Sequence, residues 1–285
     1  MRRRDVIAGL AIAAWPLRIR AQQGRRVVLF VTSFRILPSA TLDILRQSMT
    51  DFGRVDSQDV AVEAIFDPQE LLGALSKKNV AVIFASGPES VRTAAQATRT
   101  IPIVAFDLET DPVEAGYVAS FARPGGNVTG ICLDQPELAG KWLQLITQVA
   151  PQAKRVAAVW DPGTGPSQRR AIDAAALQLG LQLFVVELRP DLRAVFAEAR
   201  GGGAQGLVFL SSPLISRQVG PLSEFARNEG LPTVALFPEF ARAGGLLSYG
   251  PSVLALRRRG AEYVTKVLRG QLPGEMPVER PSAYG

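Results

Sequence analysis

The chain has 285 residues, 47% of them apolar and 20% charged, which suits one large domain or two ordinary ones and excludes long-range disorder. Its formal charge is +6, but residues 1–21 hold five arginines against one aspartate, so the remainder carries about +2 and gives little support to nucleic-acid binding. There is no histidine and one cysteine, Cys132, which removes Ser-His and Cys-His nucleophile pairs, most zinc sites and any intramolecular disulfide; Cys132 itself reads as a small buried hydrophobe.

Arg2-Arg3-Arg4-Asp5 precedes an apolar run from Val6 to Trp15, then Pro16 and a candidate cleavage after Ala21. Basic start, short apolar middle and small terminal residue follow the order of an export signal, and the paired arginines resemble a twin-arginine one. Ile19 stands where such sites prefer Ala. The run is too short to anchor a helix across a bilayer. Residues 26–33 then predict a strand, and residues 42–52 a helix ended by Gly53. Residues 59–66 alternate as a strand, and 68–77 make a short helix. Residues 80–85 form a short apolar run of the kind a buried parallel strand needs. Ser86-Gly87-Pro88-Glu89 is a helix start, with a capping hydroxyl or glycine, Pro at the first position and an acid in the first turn. Residues 101–106 give the next buried strand. This alternation calls for a parallel sheet with helices on both faces. Arg123-Pro124-Gly125-Gly126-Asn127 then breaks regular structure.

The pattern restarts at Val128 with a short apolar run to Cys132. Residues 136–149 form an amphipathic helix, with Leu138, Trp142, Leu145 and Ile146 on one stripe. Residues 155–160 are a strand, 167–179 a helix stopped by Gly180, 181–187 a strand and 192–200 a helix. Residues 206–210 are a strand, Ser211-Ser212-Pro213 a helix start, and 231–237 a strand. Residues 244–249 are a candidate strand, 253–268 an arginine-rich helix, and the stretch from Pro273 is proline-rich without periodicity. FASGP beside FLSSP, and IPIVAFDLE beside LPTVALFPE, repeat one strand–turn–helix–strand order in each half. Two similar α/β lobes follow: residues 25–122 with 248–270, and residues 127–243, leaving 271–285 as a tail. No GxGxxG or GxxxxGK[ST] loop follows a strand, so no dinucleotide, ATP or other cofactor is expected.

These residues resemble a known family. The RRRDVI…AAWPL…RAQQ leader, TRTIPIVAFDLETDPVEAGYVASFARPGGNVTG, GKWLQLITQVAPQAKRVAAVWDP and GGLLSYG are similar to ABC-transporter substrate-binding proteins of the periplasmic type I class. Within it the chain resembles the branch with tryptophan- and tyrosine-binding members. The Ile101–Gly130 block is the most specific part. The resemblance implies two Rossmann-like lobes joined by a hinge, an exported periplasmic monomer, a small-molecule ligand, an inner-membrane ABC permease as partner, and no catalysis. Family members usually continue past the proline-rich tail with another strand and helix, whereas this chain stops at Gly285. At Ser211-Ser212 other members often carry Asp or Asn.

Ligands of open α/β sheets sit beyond the carboxyl ends of the strands. The candidates there are Ser33, Ser86, Gly87 and Asp107 in the first lobe, and Asp161, Ser167, Ser211, Ser212 and Phe237 in the second. Helix starts at Pro88, Ser167 and Pro213 offer backbone N–H groups to a carboxylate, and serine hydroxyls can add to them. Asp107 or Asp161 can hold an ammonium, and Phe237 can stack on an apolar portion. Ser86 and Ser212 serve equally as plain helix caps. Asp107, Glu109 and Asp111 form an acidic loop in which Glu109 and Asp111 read as solvated, leaving Asp107 for the cleft; no metal site is expected. Arg257-Arg258-Arg259 reads as a solvated helix face. Gly125, Gly126, Gly244, Gly245 and Gly250 are hinge candidates. The sequence thus points to capture of an amino acid or related organic acid by lobe closure. A ligand-sensing partner of a membrane receptor or regulator is the alternative, and a carboxylate-dependent enzyme a more distant one.

Overall fold

The computed structural model describes residues 25–33, 42–47, 50, 60–133 and 135–281. Two five-stranded parallel sheets carry the structure. The first comprises β1 (Arg26–Thr32), β2 (Val60–Ile65), β3 (Val80–Ser86), β4 (Ile103–Phe106) and β5 (Val128–Ile131), in the order β2-β1-β3-β4-β5. The second comprises β6 (Arg155–Trp160), β7 (Gln182–Glu187), β8 (Gly206–Phe209), β9 (Thr233–Ala235) and β10 (Leu247–Ser248), in the order β7-β6-β8-β9-β10. Counted within each sheet, both follow 2-1-3-4-5. The internal repeat seen in the sequence is therefore topological: FASGP ends β3 and FLSSP ends β8, the third strand of each sheet. The central strands are continuous apolar runs because both faces are covered; all of β1 after Arg26 is buried.

The helices are α1 (residues 42–47), α2 (Leu71–Lys77), α3 (Pro88–Ala97), α4 (Gln135–Val149), α5 (Ser167–Gln178), α6 (Leu192–Gly201), α7 (Pro213–Arg217), α8 (Val219–Glu229), α9 (Pro238–Arg242) and α10 (Val253–Leu268). The helix expected over residues 42–52 lies partly outside the described residues, as does the export signal. No helix among the described residues is long and apolar enough to cross a membrane.

The lobe boundaries expected from sequence need correcting. The glycine-rich break before residues 128–131 points to the second lobe, yet they pair in register with β4 and complete the first sheet. Gly130 is the reason the fit is close. Its φ is 145°, and a Cβ there would lie 2.0 Å from the Ala105 carbonyl oxygen. The tail is also part of the first lobe. Glu279 bridges Ile131 in parallel, Thr129 Oγ1 donates to the Met276 carbonyl at 2.8 Å, Tyr263 donates to the Pro277 carbonyl, and Met276 and Val278 are buried. Hydrophobic periodicity cannot reveal a segment held by such edge contacts.

The chain crosses between sheets twice among the described residues. After β5 it enters α4, which packs on β8, β9 and α5 of the second lobe; after β10 it enters α10, which packs on β3, β4 and β5 of the first. Gly260 lets α10 approach closely, since a Cβ there would lie 2.9 Å from the Phe84 ring. Trp142, fully buried on α4, donates its Nε1–H to the Tyr249 carbonyl at 2.8 Å and ties α4 to the second crossover.

Candidate functional site

In a 2-1-3-4-5 sheet the chain turns away in opposite directions from the first and third strands, which opens a crevice at their carboxyl ends. Here those strands are β1 and β3 in one lobe, β6 and β8 in the other. Ser33 follows β1, Ser86 ends β3, Asp161 follows β6, and Ser211-Ser212 follow β8 by one residue. The two crevices face each other across the lobes.

The lobes touch through named groups. Ser211, buried after β8, donates its hydroxyl to Glu109 Oε1 at 2.7 Å across the cleft. Ser167 at the start of α5 donates to Glu114 Oε2 at 3.1 Å, and Arg170 one turn later pairs with the same carboxylate. Glu109 was expected to be solvated. It is instead only 4% exposed, and its second oxygen accepts the Leu108 N–H. Burial, followed by the nearby charges of Asp107 and Asp161, pushes its carboxyl up to about 8 against the hydrogen bonds from Ser211 and Leu108. Glu109 is therefore mostly protonated near neutral pH. A short acidic loop signals exposure, so sequence alone passes over Glu109, whose Ser211 partner comes from the opposite lobe.

Asp107 is buried. Its Oδ1 accepts from the backbone N–H of Glu109 and Thr110, while Oδ2 has no hydrogen-bond partner. Desolvation raises its pKa, opposed by hydrogen bonds from Thr110 and Glu109 and by the Arg92 charge. It lines a cavity of about 10 Å³ with Thr110, Tyr117 and Cys132, room for one water molecule. Burial drives the Cys132 thiol up to about 12.

The other candidates are placed as follows. Ser86 does not cap α3, contrary to one expectation. Gly87 does, with φ 90°, and its N–H donates to the Phe106 carbonyl at 2.9 Å. Ser212 is a cap: it accepts the Leu214 N–H and donates to Asp161 Oδ2 at 2.5 Å. Asp161 is engaged twice, since Oδ1 accepts from Gly163. Phe237 is half-buried before α9, beside Ser211 and Ser212 around a second small cavity. Sequence reading missed Gln168 as well. It is 1% exposed and donates Nε2–H to the Ser211 carbonyl at 2.8 Å, while its Oε1 accepts nothing. Its position in the first turn of α5 was the available signal.

Among the hinge candidates, Gly250 stands at the second crossover, where a Cβ would lie 2.4 Å from the Leu236 carbonyl oxygen. Gly125 and Gly126 do not lie at a crossover. They precede β5, and Gly125 donates its N–H to Gly274 of the returning tail. Gly244 and Gly245 lie within the second lobe, where a Cβ on Gly245 would meet the Phe240 ring. Among Arg257, Arg258 and Arg259 only Arg258 is exposed; Arg259 pairs with Glu262 and Glu279, which fastens the tail to α10. No group of three acidic or cysteine side chains among the described residues is arranged to hold a metal ion.

This two-lobed cleft can be compared with known proteins. The family model for ABC transporter substrate binding proteins matches residues 56–284. The chain belongs to that family. A family relative, the tyrosine-binding protein of Clostridioides difficile, is 26% identical over 229 residues, which is 78% of this chain and 61% of that one; this chain spans about three fifths of its length. A structure from Streptococcus pneumonia, an ABC domain in complex with L-Trp, superposes with TM-score 0.75 at 19% identity, covering 91% of this chain and 90% of that one. A ligand-free, open substrate-binding protein from Clostridium difficile superposes with TM-score 0.62 at 21% identity over the same shares. The family fold here is that of type I periplasmic binding proteins.

Proposed function

We propose that this chain is the exported solute-binding component of an ABC-type uptake system. It captures an amino acid or related small molecule between its lobes and presents it, unchanged, to an inner-membrane permease. The observation that carries the reading is the Glu109–Ser211 contact: two buried polar groups from opposite lobes meet where both sheets point their strand ends. Ser33, Ser86, Gly87, Asp107, Asp161, Ser167, Ser211, Ser212 and Phe237 are the proposed lining. The lobes swing about the two crossovers, with Gly250 in the second. Relatives whose names specify tyrosine or L-Trp support an amino acid as ligand. The leader's order of basic start, apolar run and Ala21 supports export to the periplasm with cleavage near Ala21, and the resemblance supports a monomer.

Thermal unfolding against the L-amino acids tests this. A binder raises the Tm with concentration, because it stabilises only the folded state. No response to any of them contradicts the amino-acid reading, and turnover of a binder contradicts capture without chemistry.

A further inference from the structure

The electrostatics of the closed cleft narrow the ligand further than the family does. Asp107, Glu109 and Asp161 are each no more than 9% exposed, the charges of Asp107 and Asp161 reach Glu109, and no lysine or arginine is buried to that degree among the described residues. Buried carboxyls without a buried cation stay neutral or wait for a cation from elsewhere. Two buried acceptors also stand without partners, Asp107 Oδ2 in the first lobe and Gln168 Oε1 in the second. Gln168 is joined through its Nε2 to the same Ser211 that meets Glu109. The site therefore has an excess of acceptors and carboxyl groups, and no buried cation to match them.

We propose that the cleft selects ligands by a cationic amine, which displaces Ser211 from Glu109 and takes the place of the Glu109 proton. The proton leaves to solvent, the carboxylate pairs with the ammonium, and the leftover acceptors receive its N–H groups. A ligand carboxylate is then dispensable, although the ligands named for the relatives carry one. The inference rests on the capture reading for the position of the site. The groups facing Glu109 are Asp107 on its own loop, Asp161 after β6 and Ser211 after β8, with Arg92 of α3 acting on Asp107. With the cleft closed the Glu109 carboxyl is raised to about 8, so an amine entering that form loses affinity as pH falls and protons compete for the carboxylate.

The test is titration calorimetry on the full chain with matched probes: L-tryptophan, tryptamine, which keeps only the amine, and indole-3-propionate, which keeps only the acid. Aliphatic trios built on leucine and lysine extend the set. The expected result is that amine-only members bind at least tenfold tighter than acid-only members. Glu109→Gln should erase that preference and the pH dependence. Ser211→Ala, which frees Glu109, should strengthen amine binding and covers a failure of the first variant to fold. Acid-only members binding as well as amines, an unchanged preference in Glu109→Gln, or no amine binding at all overturns the proposal. Binding of L-amino acids but not amines sinks this inference and leaves capture standing; binding of amines but no amino acid upholds this inference and sinks the amino-acid reading of the ligand.

Discussion

Replacing Glu109 by Gln should stabilise the protein at alkaline pH, although it removes a charged group. A carboxyl raised from about 4.5 when unfolded to about 8 when folded binds more protons in the folded state between those values. Stability then falls as pH rises through that window and levels off above it. A shift of that size corresponds to a ceiling on the order of 5 kcal/mol, at about 1.4 kcal/mol per unit. The actual loss stops sooner if the lobes part and water reaches the ionised group, so a loss short of the ceiling reports the cost of opening. Gln at 109 keeps an acceptor for the Leu108 N–H and an amide donor for the Ser211 hydroxyl, with nothing to ionise. Urea unfolding of both proteins at pH 5, 7 and 9 is the assay. At pH 5 they should agree within about 1 kcal/mol, and at pH 9 the variant should be more stable by several kcal/mol. Asp107 shifts in the same direction and interacts with Glu109, so the difference reads Glu109 together with that interaction. A difference that does not change with pH refutes the reasoning.

Three further outcomes follow from packing. Gly130→Ala should cost more than about 4 kcal/mol or prevent folding, because the added methyl meets the β4 backbone, which cannot yield; soluble expression and circular dichroism report it. Trp142→Phe should cost about 1–3 kcal/mol in urea unfolding by leaving the Tyr249 carbonyl without its indole donor; a cost below about 0.3 kcal/mol would show that water replaces it. Cys132 should resist a thiol reagent at pH 8 in the native protein and react at once in urea, since its thiolate is disfavoured and the group is buried.

Much of this architecture was legible in the residues. Short apolar runs, Ser-x-Pro and Gly-Pro turns and their repetition located the strands that make up both sheets, and both crevices with them. Val128–Ile131 was misplaced because the glycine-rich break before it looks like a domain boundary, while only its pairing with β4 says otherwise. The hinge glycines failed for the same reason: Gly125, Gly126, Gly244 and Gly245 serve turns and close packing within a lobe, not passage between lobes. The positions of Ser212, Asp161 and Asp107 at strand ends were legible in the sequence. Glu109 and Gln168 were not, because each is defined by a partner from far along the chain, at separations of 102 and 43 residues.

The interlobe distance tests the central claim most directly. Leu72 on α2 and Leu177 on α5 are 64% and 83% exposed on opposite lobes, and Cys132 is too buried to compete, so Leu72→Cys with Leu177→Cys accepts a spectroscopic pair. At pH 9, a saturating amino acid or amine that raises the Tm should shift this distance to a single short value and be recovered chemically unaltered. A distance that stays fixed while the ligand binds would contradict closure of two lobes around a captured molecule.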